Sequence, residues 1–150
     1  MGGGHDGRGV GGVDRQVITY VWRDTFEDPE VNALHAEGFG HPVLDIGWRE
    51  QLHRHSLGWV CARDEGGVLV GFVNVAWDGG VHAFVLDTVV AGRCRRQGVG
   101  TELVARAVRG AREARCEWLH VDFDDEHRGF YREACGFRGT DAGLIALRPT

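Results

Sequence analysis

Between Gly92 and Leu103 the chain reads GRCRRQGVGTEL, with arginines at 93, 95 and 96 and glycines at 92, 98 and 100. The stretch runs into an amphipathic segment, so it ends where a helix is expected to begin. A helix's first turn carries unpaired N–H groups and a partial positive charge, and glycine leaves no side chain between those amides and an anion. Arg95 and Arg96 add charge that does not titrate away. Two readings stand side by side: a plain strand-to-helix turn, or a cradle for a phosphate.

Asp87 interrupts the apolar run AFVLDTVV. A carboxylate in such surroundings needs a partner or a task. It can accept a proton, bind a cationic group, or bond a neighbouring loop. Strict alternation along a strand puts Val85, Asp87 and Val89 on one side, and Phe84, Leu86, Thr88 and Val90 on the other. A second acidic cluster, VDFDDEH (121–127), follows a predicted strand that His120 and Asp122 would end; either can relay a proton. Asp124, Asp125 and Glu126 read as a solvated loop capping the next helix. His53 and His55 are two apart and point to different helix faces, which argues against a metal pair.

These residues need elements to hold them. QVITYVW (16–22) reads as a first strand. In DPEVNALHAEGFG, Asp28 is a possible N-cap and Pro29 a first helical residue, and a second short helix lies in LDIGWREQLHRHS. GWVCARD and VLVGFVNVAW make a hairpin about the turn DEGG, and VHAFVLDTVV is a long strand. From Val99 the apolar residues Val99, Leu103, Ala107 and Ala111 recur every fourth position, an amphipathic helix. WLHVDF is predicted as a strand, EHRGFYREACGF as a helix closing on Gly136, and GLIALR as a last strand. The order β-α-α-β-β-β-α-β-α-β is that of one mixed α/β domain over residues 15–150. It is preceded by a glycine-rich tail, residues 1–14, expected to be disordered.

The chain has 150 residues and a formal net charge of −5, which argues against a general nucleic-acid or membrane-surface binder. Its four cysteines, at 61, 94, 116 and 135, form no CxxC pair and are expected to be reduced. Neither a membrane span nor a signal peptide is legible, and Asp6 stands where a myristoylation signal wants Ser or Thr. A cytoplasmic location is the expectation.

VVAGRCRRQGVGTEL resembles motif A of the GNAT superfamily of N-acetyltransferases, Arg/Gln-x-x-Gly-x-Gly/Ala after a valine-rich strand; here it is Arg95-x-x-Gly98-x-Gly100. FYREACGF is similar to the family's Phe/Leu-Tyr-x-x-x-Gly-Phe segment, but four residues rather than three separate Tyr131 from Gly136. The resemblance implies a central twisted, mostly antiparallel sheet splayed between two strands, with helices on both faces. It implies acetyl-CoA as donor and no metal. The backbone of Val89, Val90 and Ala91 would pair with the pantetheine arm. Amides from Arg95 through Arg96, Gln97, Gly98, Val99 and Gly100 to Thr101 would hold the pyrophosphate.

Under the same resemblance a neutral amine attacks the thioester directly in a ternary complex, and Tyr131 gives a proton to the departing thiolate. Asp87 and Asp122 are the further catalytic candidates. Many members carry a glutamate base where Phe84 stands, so the base is not fixed by the motif. Trp48, Trp77, Phe84 and Asp87 are candidates for the acceptor site. The acceptor expected is a small primary amine, and the acids near the cleft hint at a cationic one. Open alternatives are a non-catalytic acyl-CoA-binding or sensing domain, and acetylation of a protein amine. A homodimer is possible. A Rossmann-like site for another phosphorylated ligand has little support, because the glycine loop follows antiparallel-looking strands.

Overall fold

In the computed structural model residues 16–149 are described, and the glycine-rich tail lies outside them. The elements are β1 (Thr19–Trp22), α1 (Asp28–Phe39), α2 (Trp48–His55), β2 (Ser56–Arg63), β3 (Leu69–Trp77), β4 (His82–Val90), α3 (Val99–Glu113) and β5 (Trp118–His120). Short 3₁₀ turns lie at Gly92–Cys94 and Asp125–His127, and a π-helical turn at Gly129–Ala134. The sheet order is β1-β2-β3-β4-β5, antiparallel throughout except for the parallel pair β4–β5. This is a mixed α/β fold on a mostly antiparallel, open sheet.

The two faces can be read from neighbours in β3. A side chain at Gly71 would meet Leu103 and Val99 of α3 at 3.0–3.1 Å, whereas Phe72 packs edge-on to Trp48 of α2, ring centres 6.2 Å apart. Successive strand residues face opposite ways, so α3 covers one face and α1 with α2 the other. β2 and β3 are therefore buried on both sides, which is why VLVGFVNV reads as nearly continuous apolar sequence. Phe72, Leu52, Leu103 and Val60 are fully enclosed, and burying each such side chain stabilises the fold by about 1.5–3 kcal/mol.

Polar ties fix the helices to the sheet. Arg63 of β2 donates to both Glu30 carboxylate oxygens of α1, at 2.8 and 3.1 Å, and Glu30 is held below the usual carboxylate range chiefly by that bond. Asp28 is the first residue of α1 rather than its cap; Glu27 takes the cap position, and the Asp28 carboxylate accepts from the Arg49 N–H at 2.9 Å.

One predicted element does not form. No helix or strand follows Ala134 among the described residues, so GLIALR is not a strand, and Leu144, Ile145 and Leu147 are exposed. Alternating apolar sequence needs a ladder partner to become a strand, and β5, only three residues long, offers almost none.

Candidate active site

β4 and β5 pair only at His82–Trp118, Ala83–Leu119 and Phe84–His120. β5 then ends, while β4 continues to Val90. The outer edge of β4 from Val85 onward thus borders a gap, and an unpaired strand edge is a ready partner for an extended ligand. Within that stretch Ala91 is already engaged: its N–H donates to Val70 O at 2.7 Å and its carbonyl accepts from the Cys94 N–H at 2.9 Å. Alternation along the strand turns the Val89 backbone toward β3 and leaves the N–H and C=O of Val90, expected with them along the pantetheine, on the open edge.

The gap leads to the start of α3. Gly98 precedes the helix at φ 80°, a left-handed conformation that glycine adopts without penalty. No side chain caps the helix, and the first bond closing it runs from the Glu102 N–H to Gly98 O at 3.1 Å. The first-turn amides of Val99, Gly100 and Thr101 have no partner within the helix. Arg95, Arg96 and Gln97 are exposed, and neither arginine makes an ion pair among the described residues. Arg93 is spoken for by Asp64, and the Arg95 N–H by Gly92 O. Gly100 has a different task from Gly98: a side chain there would lie 3.2 Å from the Phe130 ring, so its glycine admits the π-helical turn against α3.

Asp87 sits in a β-bulge. Phe72 pairs with Val89 and Asn74 with Leu86, so Val73 alone opposes both Asp87 and Thr88, and Asp87 has φ 57°. This breaks the expected alternation. Cross-strand partners share a face, which places Phe84, Leu86 and Val89 on the α1–α2 side with Ala76, Asn74 and Phe72. Asp87 reaches the same side, where its Oδ1 lies 3.2 Å from His35 Nε2 and its Oδ2 accepts from Asn74 Nδ2 at 3.3 Å. Asn74 is buried, and its own oxygen accepts from Ser56 Oγ at 2.5 Å. Phe84 and Leu86, 38% and 40% exposed, form an apolar floor beside the carboxylate.

Sequence reasoning missed His35, His41, Asn74 and Ser56. The signal available was a histidine inside α1, a second just past its Gly40 cap and an asparagine inside an apolar strand, but their arrangement around Asp87 depends on packing across several elements. Asn32 organises the connection between α1 and α2: it is buried, donates to Ile46 O, and accepts from the Ile46 N–H and Trp48 Nε1.

Tyr131 lies in the π-helical turn. Its ring stacks on Phe123 at 5.2 Å and meets Phe130 and Phe137 edge-on. The extra residue before Gly136 is absorbed by the wider turn: the Cys135 N–H bonds Phe130 O, five residues back, at 3.0 Å. Burial pushes the Tyr131 hydroxyl above the ordinary phenol value, and the nearby Asp122 charge adds a smaller push in the same direction. The Thr88 hydroxyl lies close enough to oppose that shift, yet Thr88 Oγ1 is buried with no partner in hydrogen-bonding geometry.

The other candidates scatter. Asp122 is exposed just beyond β5 and makes no ion pair among the described residues. Trp48 is 3% exposed, inside the core beneath His35, so it does not line an open surface. Trp77 is half-buried at the far end of β3, opposite Ala83. His120 Nε2 lies 2.8 Å from His82 Nδ1, with Phe84 stacked on its ring at 4.7 Å. His53 lines a separate cavity of about 320 Å³ with Arg23, Leu52, Ser56 and Trp59; Ser56 links its wall to Asn74. Burial raises the Cys135 thiol to about 11, which leaves it protonated and a packing residue near neutral pH.

Residues 18–137 match the model of the acetyltransferase (GNAT) family. The chain belongs to that family. No curated protein matches it in sequence. A GNAT-family acetyltransferase from Streptococcus pneumoniae is 24% identical, with a TM-score of 0.69 over 88% of this chain and all of that one. An aminoglycoside N-acetyltransferase solved with CoA is 18% identical (TM-score 0.71; 90% and 97% covered). Glucosamine-6-phosphate N-acetyltransferase from Arabidopsis thaliana is 16% identical (TM-score 0.67; 86% and 98% covered). At these identities the likeness establishes the GNAT fold.

Proposed function

We propose that this GNAT domain transfers an acetyl group from acetyl-CoA to a small primary amine by direct attack in a ternary complex. The observation that carries the reading is the junction of three features in one gap: the open edge of β4, the uncapped first turn of α3, and a bulge that turns Asp87 toward the space beside Phe84 and Leu86. The residues present suit the donor. Val90 would pair with the pantetheine, and the amides of Val99, Gly100 and Thr101 with Arg95 and Arg96 would face the pyrophosphate. Thr88 Oγ1 is buried beside the Tyr131 hydroxyl with no bond of good geometry, which leaves it capacity to bond a bound ligand. Bound there, acetyl-CoA would supply an activated carbonyl and a thiolate leaving group.

The chain's own residues then divide the proton work. Asp87 takes a proton from the acceptor's ammonium, freeing the lone pair for attack. Tyr131, kept protonated by burial, gives its hydroxyl proton to the departing sulfur. A thiolate whose thiol has a pKa near 8.5 is a weaker base than a phenolate near 10, so the donation comes late, as the C–S bond breaks, and is completed by reprotonation of the phenolate. Asp87 and the exposed Asp122 make a cationic acceptor favourable. With Phe84 where many family members carry a glutamate, the bulge that turns Asp87 to the same face supports Asp87 as the base.

The test is release of free thiol from acetyl-CoA across a panel of polyamines, aminoglycosides and amino-acid amides, with acetylated product confirmed by mass. Amine-dependent thiol release is expected. CoA binding by calorimetry with no release for any amine would replace the enzyme by an acyl-CoA-binding domain.

A further inference from the structure

The run Pro42–His41–His35–Asp87 holds three hydrogen bonds that can be counted in protons. His41 Nδ1 lies 2.7 Å from Pro42 O, His41 Nε2 lies 2.7 Å from His35 Nδ1, and His35 Nε2 lies 3.2 Å from Asp87 Oδ1. A carbonyl only accepts, so His41 carries a proton on Nδ1. If both rings are neutral, His41 Nε2 is bare and His35 must donate from Nδ1. His35 Nε2 is then bare as well and faces a carboxylate lone pair. Three bonds need three protons, and two neutral imidazoles hold two. One more proton completes the run.

The Asp87 side chain is 24% exposed, so the histidines offer the proton a hydrogen-bonded route out beside direct exchange with water. Asn74 Nδ2 occupies Asp87 Oδ2, so Oδ1 is the oxygen that exchanges with His35. Facing the run from β3 and β2 are the uncharged Asn74 and Ser56; from α2 comes the Trp48 ring, 5.2 Å from His35, and from α1 the Phe39 ring at 4.4 Å. Among the described residues Asp87 has no other ionic partner within 4 Å. His35 is 17% exposed at its side chain, while the last link, His41 to Pro42, lies at the exposed surface.

We propose that His35 and His41 are positioning residues that draw from Asp87 the proton it takes off the acceptor amine and pass it to solvent; this extends, and rests on, the reading of Asp87 as the base. The ammonium gives one proton to Asp87, and the freed lone pair forms the C–N bond as the C–S bond breaks. Asp87 passes that proton to His35 Nε2, His35 passes its Nδ1 proton to His41 Nε2, and His41 releases its Nδ1 proton to water. Both rings regain their starting tautomers by exchange with water before the next turnover. The nitrogen loses two protons in all: the first leaves through Asp87 and the histidines, and the second, shed as the C–N bond forms, restores the Tyr131 hydroxyl that protonated sulfur. The net products are amide, thiol and one proton.

Two measurements test this. Imidazole ¹⁵N NMR of the protein without substrates should show Asp87→Asn moving the ring-nitrogen signals of His35 and, through it, of His41. His41 signals unmoved by Asp87→Asn would overturn the relay. In turnover with the best amine of the panel, His35→Gln should lower kcat by about tenfold or more while both KM values hold, within the usual range for proton-transfer assistance. His41→Ala, a change at the surface, should lose less and regain turnover on adding free imidazole; it carries the test if His35→Gln fails to fold. Wild-type turnover in both histidine variants with Asp87→Asn inactive overturns the relay and leaves Asp87 as base. Full activity in Asp87→Asn overturns both.

Discussion

The two residues proposed to handle protons are held by different forces. Asp87 is fixed by directional bonds: His35 from α1 and Asn74 from β3, with Ser56 from β2 behind them. Tyr131 is fixed by ring contacts with Phe123, Phe130 and Phe137, and its hydroxyl faces a Thr88 oxygen that has no partner. A group that must hold a charge and exchange a proton gains from a polar lattice that sets its geometry. A group that must stay neutral until late gains from burial, which raises its pKa. The difference in surroundings matches the difference in proposed task.

The comparison breaks most sharply at Asp87. Asparagine tolerates the left-handed φ of 57° and keeps the shape of the side chain, so Asp87→Asn removes the charge without straining the bulge. Turnover should fall by about 10²-fold or more, with the melting temperature near wild type. Equal loss of stability and activity would make Asp87 a structural residue only.

The second residue should show a smaller loss. Tyr131→Phe keeps the ring stack and deletes the hydroxyl; turnover should drop by at least about tenfold, with donor affinity and thermal stability little changed. Because burial raises this phenol, the donor form persists to higher pH than for a free tyrosine. The pH profile should therefore show no loss assignable to Tyr131 below about pH 10. Wild-type turnover in Tyr131→Phe would mean that water protonates the thiolate.

At the phosphate end, Gly98→Asn separates cradle from fold. Nothing lies within 4 Å of an added side chain, and asparagine accepts φ 80° better than other residues. Its amide would sit over the α3 amides and compete for them, so CoA affinity by calorimetry should weaken by about tenfold, roughly the loss of one charge-assisted bond. Gly100 is unsuited to the same test, since a side chain there would push into Phe130. Unchanged affinity in Gly98→Asn would move the phosphate site elsewhere.

The smallest effect sharpens the contrast. Thr88→Val replaces an unpartnered buried hydroxyl with a methyl of similar size and keeps the β-branch. A buried unsatisfied polar group costs about 1–3 kcal/mol, so the melting temperature should rise slightly while turnover slips. A fall in melting temperature would show that the Thr88 hydroxyl has a partner in the free protein.

Much of this was legible in the sequence. The strands from Ser56 to Val90 announced themselves by β-branched and aromatic runs, and α3 by its apolar spacing. The start of α3 was legible because glycine at 98 and 100 and paired arginines are local chemistry, tied to the turn they make. The family, too, followed from two short motifs in order.

What the sequence by itself determined was therefore local: periodicity, the glycine turn, and the presence of an acid in an apolar strand. The tertiary structure decided the rest. Alternation put Asp87 and Val89 on one side and Phe84 and Leu86 on the other; the bulge, one residue of β3 against two of β4, brings all four to one face. The extra residue before Gly136 looked like a loosened motif, and a π turn takes it up. GLIALR has strand chemistry but no ladder partner among the described residues. His35 and His41 carry no sign of function until α1 lies across β4. Period-two and period-3.6 patterns specify which way one element faces, but register, bulges and contacts between elements are set by pairing across the sheet, which no single stretch of chain encodes.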